Sequence, residues 1–106
     1  MRVANPIASY NLMSLGVLTL QIQIPSCASL KEKRSRLKPL LNRLRREFNI
    51  SVAEIDHNDA WGSAVIACAL VSNHNGHTQR ALQAIPTWIE KNWPDVTIID
   101  DQIEII

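Results

Sequence analysis

Residues 63–73, SAVIACALVSN, are apolar on both parities, with Ala64, Ile66, Cys68 and Leu70 on one and Val65, Ala67, Ala69 and Val71 on the other. A strand with apolar side chains pointing both ways needs cover on both faces, so this run reads as a central strand of a sheet. The chain must then supply strands to flank it and a layer to pack on it.

Three further segments have strand character. GVLTLQIQI, residues 16–24, alternates strictly: Leu18, Leu20, Ile22 and Ile24 point one way and Val17, Thr19, Gln21 and Gln23 the other, until Pro25 ends the pattern. ISVAEIDH, residues 50–57, is a second strand followed by a turn at NDAWG. VTIIDDQIEII closes the chain as the last strand, broken in pattern at Asp100-Asp101, where a bulge or bend is expected.

Two helices separate them. In SLKEKRSRLKPLLNRLRREF, Ser29 and Glu32 match a capping box, and Leu30, Leu37, Leu41, Leu44 and Phe48 form one helical stripe. Pro39 removes a backbone donor inside it and is expected to kink or loosen the helix, with Asn49 as the stop. The second helix starts at about His77, carries Leu82, Ile85 and Ile89 with Ala81 and Trp88 beside them, and is closed by Pro94. The order β-α-β-β-α-β, with right-handed crossovers, builds an α+β sandwich: two helices on one face of a four-stranded antiparallel sheet, strands one and three central, the other face open.

Residues 15–106 form this single domain. Residues 1–14, MRVANPIASYNLMS, lack either period and contain the turn pair Asn5-Pro6, so they read as a flexible extension, with Met13 a candidate start. A composition of 46% apolar and 20% charged residues over 106 positions fits one folded domain. The first fourteen residues lack a signal peptide's apolar core, and no stretch approaches the roughly 20 apolar residues of a membrane span, so the expected location is the cytoplasm. Cys27 and Cys68 are too few for a disulfide framework and are read as free thiols.

Charge is distributed unevenly. Residues 29–48 hold Lys31, Lys33, Arg34, Arg36, Lys38, Arg43, Arg45 and Arg46 against Glu32 and Glu47, a balance of +6, while the rest of the chain sums to −5. On a helical wheel Lys31, Lys38 and Arg45 fall on one flank of the stripe, Lys33 and Arg36 on the other, and Arg43 and Arg46 at the back. With acids hardly interleaved at i, i+4, the helix suits phosphate contact, and five such contacts would make affinity fall with roughly the fourth to fifth power of salt. The alternative is an ordinary solvated face whose long side chains cover apolar rims. Strands one and three carry no aromatic residue, so bases would not stack on the sheet.

Whichever parity of residues 63–73 packs the helices, an apolar set remains; Val65, Ala67, Ala69 and Val71 are the candidate interface, covered by a homodimer partner or by Ile7, Tyr10 and Leu12 of the extension. His74 and His77, and Asp56, His57 and Asp59, could serve a metal, but as loop residues without a third clear ligand they read as solvated; no cofactor is expected. Trp61 reads as an anchor of its loop onto the core. Glu54 and Asp56 share a strand face and could act as acid and base, though edge-strand charges more often discourage aggregation. With no phosphate loop, nucleophile elbow or paired-cysteine motif, the chain is read as non-catalytic.

Four segments together, GVLTLQIQIP, SLKEKRSRLKPLLNRLRREFNISVAEID, the pair Asp59 and Trp61, and ALVSN, resemble the YlxP-like family of small bacterial proteins of unknown function over residues 13–106. The resemblance implies a ferredoxin-like α+β fold and, from the family's gene neighbourhood among translation factors, a link to RNA. Two departures stand out: Gly62 and Ser63 occupy positions where the family has Gln-Arg, and the family begins near Met13. The reading is a non-catalytic RNA-binding or ribosome-associated factor that uses the eight basic residues of the first helix. The alternative is a homo-oligomeric interaction or small-ligand module using the open sheet face.

Overall fold

The computed structural model describes residues 13–106. The expected flexible extension, and Ile7, Tyr10 and Leu12 as the alternative to a homodimer partner in covering the open face, lie outside these residues. The elements are β1 (Ser14–Gln23), α1 (Leu30–Phe48), β2 (Ser51–Asp56), β3 (Ser63–Ser72), α2 (Asn75–Asn92) and β4 (Thr97–Ile105). The sheet runs β2-β3-β1-β4, all neighbours antiparallel, with both helices on one face. β1 begins at Ser14, one residue inside the segment read as extension.

Alternation sets the core. Leu18, Leu20, Ile22 and Ile24 meet Ala64, Ile66, Cys68 and Leu70 under Leu37, Leu40 and Leu44 of α1 and Leu82, Ile85 and Ile89 of α2. The opposite parity of β3 faces away from the helices, with Val65, Ala67 and Ala69 half-buried and Val71 exposed.

Local chemistry fixes the ends of α1. The Glu32 N–H donates to Ser29 Oγ at 3.0 Å, and the Glu32 carboxylate accepts from the Ala28 N–H at 2.6 Å, a capping box displaced by one residue at its second bond. Asn49 ends the helix in the left-handed region, φ 47°. Pro39 does not end the helix: α1 continues to Phe48, with Pro39 and Ser35, whose carbonyl loses its helical donor, both on the exposed side. α2 starts at Asn75, earlier than the apolar period suggested, because His74 is its N-cap: the His77 N–H donates to His74 Nδ1 at 3.3 Å.

Two bulges re-aim the edge strands. Between Glu54, opposite Ile66, and Asp56, opposite Val65, Ile55 is an extra residue, so Glu54 points to the helix side and Asp56 to the open side. The two carboxylates therefore do not share a face, and an acid–base pair made of them is ruled out by geometry. In β4 the extra residue is Ile99, next to the Asp100-Asp101 break.

Candidate nucleic-acid interface

The eight cations of α1 separate by environment. Lys33 lies inside the protein at 2% exposure, its ammonium donating to the carbonyls of His57 at 2.6 Å and Ala60 at 2.7 Å and standing 2.7 Å from Glu54 Oε2. The reading of Lys33 as a phosphate contact is corrected: its ammonium is buried, hydrogen-bonded to two carbonyls and ion-paired within the fold. The sequence contained the signal, since Lys33 fills the gap between Leu30 and Leu37, three and four residues away, where the apolar stripe needs a member.

Arg36 forms a fork on Asp95, at 2.9 Å to each carboxylate oxygen, and also donates to the Pro25 and Asp95 carbonyls. Its hydrogen bonds to Asp95 raise an already high pKa, so it is a fixed cation closing α1 onto the loop before β4. Arg43 pairs loosely with Glu47 at 3.4 Å and lies over the Trp88 ring, 5.5 Å from its centroid. Arg45 donates to the neutral acceptors Asn42 Oδ1 and the Val52 carbonyl. Lys31, Arg34, Lys38 and Arg46 are exposed and have no hydrogen bond or ion pair among the described residues.

Beside this helix runs a groove of about 500 Å³ between α1, β2 and the loop that follows β2. Leu30, Leu37 and Leu41 form its apolar lining, Arg34, Lys38 and Arg45 stand on the helix side, and Glu54, Asn58 and Asp59 face them. Lys33 grips residues 57 and 60 of that loop, holding Asn58 and Asp59 between two anchored carbonyls. The groove was not legible in the sequence, because its far wall depends on a lysine turned inward.

The remaining candidate residues do not converge. His57, in the left-handed region at φ 61°, has Nδ1 3.1 Å from Ser63 Oγ, while the Asp56 carboxylate accepts from the His57 backbone N–H and not from the ring. Among the described residues no three His, Cys, Asp or Glu side chains are placed to hold a metal ion. Trp61, read as a loop anchor, is instead 52% exposed; Trp88 and Trp93 do the packing, with Phe48 edge-on to Trp88. No helix among the described residues is long and apolar enough to cross a membrane.

An antiparallel β2-β3-β1-β4 sheet with two helices on one face defines a ferredoxin-like α+β protein. It shares this fold with a de novo designed protein, Foldit4, at a TM-score of 0.51 and 14% identity over 89% of this chain and 96% of that one. Residues 15–103 match the family described as "Protein of unknown function (DUF503)", and the chain belongs to it. Uncharacterized protein YlxP of Bacillus subtilis (strain 168) is 33% identical over 82 residues, 77% of this chain and 88% of that relative.

Proposed function

We propose that the protein is a non-catalytic RNA-binding or ribosome-associated factor that contacts phosphates through α1. The observation that carries this reading is that Lys31, Arg34, Lys38 and Arg46 are exposed and without a partner among the described residues, with Arg45 held beside them by neutral acceptors only. Arg34 and Lys38 are four apart, a like-charge spacing that weakens a helix by a few tenths of a kcal/mol. A face shaped for stability alone would place an acid at one of them. Phosphate contacts of this kind position a protein on RNA without reading bases.

The test replaces Arg34 and Lys38 together by Glu, against a control with Arg80→Glu and Lys91→Glu, which changes net charge equally but lies on α2. RNA affinity should drop at least about tenfold in the α1 variant and much less in the control. Equal losses in both, or no binding by the unaltered protein at low salt, would overturn the reading.

A second reading, a homodimer or small-ligand module on the open sheet face, is favoured by Val71, 66% exposed on the face that carries Val17, Val65, Ala67 and Ala69. Val65→Glu or Val71→Glu should then convert dimers to monomers in sedimentation. An unchanged sedimentation coefficient removes that reading.

A further inference from the structure

We infer that the groove beside α1 seats a base of single-stranded RNA, and that it prefers one bearing an exocyclic amine. This rests on the phosphate-binding reading of α1 and specifies what the same site would recognise. A volume of about 500 Å³ lies in the range of small-ligand pockets, about 300–1,000 Å³. Leu30, Leu37 and Leu41 offer a base an apolar surface, and single-stranded bases can be splayed out into such a groove while paired ones cannot.

Charge across the groove sets the orientation. Arg34 and Lys38 on the helix side attract the phosphate, so the base extends toward the loop, where Asp59 and Asn58 meet its edge. Glu54 is already paired with Lys33, whereas Asp59 has no ion pair or hydrogen bond among the described residues and sits on a loop clamped at residues 57 and 60. A carboxylate accepts hydrogen bonds only. It therefore favours the amine of cytosine over the carbonyl that uracil presents at the same ring position.

Fluorescence anisotropy with labelled oligocytidylate and oligouridylate of equal length, and with inorganic polyphosphate as competitor, tests this on the full chain. Cytidylate should bind about tenfold tighter than uridylate, and Asp59→Asn should bring the ratio toward one while both strands still bind. Asn58→Ala, a second exposed loop substitution, should also narrow the ratio. Equal binding of the two strands by the unaltered protein, or a cytidylate preference that survives both substitutions, overturns the base-seating inference and leaves phosphate binding standing. If neither strand binds at low salt and polyphosphate does not compete, both fall.

Discussion

At Lys33 a single side chain decides how much of the basic helix faces outward. Its stem lies with the leucines, and its ammonium donates to two carbonyls and forms an ion pair with the Glu54 carboxylate. Lys33→Met would keep the stem and leave the Glu54 charge and both carbonyls uncompensated, costing about 3 kcal/mol. Denaturant melting should show that loss, while Arg34→Met on the exposed side should change stability by no more than about 0.5 kcal/mol. The two thiols differ as sharply. Burial pushes the Cys68 thiol up to about 12, whereas Cys27 is half-buried and donates to the Ser29 carbonyl. A raised thiol pKa means that the fold favours the neutral form, so this contribution is complete below the ordinary value of 9.0 and is lost as pH climbs from there toward 12. Native protein at neutral pH should accept one equivalent of an alkylating reagent, at Cys27, and a second only after unfolding. Glu32 has the opposite sign. The hydrogen bond from the Ala28 N–H lowers its pKa, so its cap contributes above the usual 4.5 and is lost as pH falls through the lowered value.

Between elements, β1 comes close to α2 at Gly16. A Cβ there would stand 2.5 Å from Thr78 Cγ2 and 2.8 Å from Leu82 Cδ1, so Gly16→Ala should force the strand and helix apart and destabilise by about 1–3 kcal/mol. The same end of β1 is tied by hydroxyls: Ser14 Oγ donates to Thr78 Oγ1 at 2.9 Å, and Ser72 Oγ lies 2.6 Å from it. Strand and helix order were legible because β1 alternates without exception and the leucines of α1 repeat at helical spacing, patterns that burial on one side imposes. What escaped were features in which a residue acts against its type. His74 caps a helix, Lys33 takes a core position, and the bulged Ile55 turns Glu54 and Asp56 to opposite faces. Each depends on a tertiary neighbour that no local period encodes, and the candidate groove, built on two of them, was hidden for the same reason.

For the molecule as a whole, charge distinguishes the two broad surfaces. The open sheet face includes Asp56, opposite Val65, and Asp100 and Glu104, opposite Gln21 and Val17, with no Lys or Arg among the described residues of its four strands. Two copies stacked through this face would bring those carboxylates together without counter-charge, which weighs against the sheet dimer and leaves α1 as the surface with a clear complement. On the proposal that α1 holds phosphates, ion release would govern binding: four to five phosphates on a single strand would give a slope of log affinity against log salt of roughly −3. The decisive measurement is therefore the affinity for a short single-stranded RNA across a series of salt concentrations. A straight line near that slope is the result expected from α1 holding phosphates, and a flat line, or no binding at the lowest salt, contradicts it.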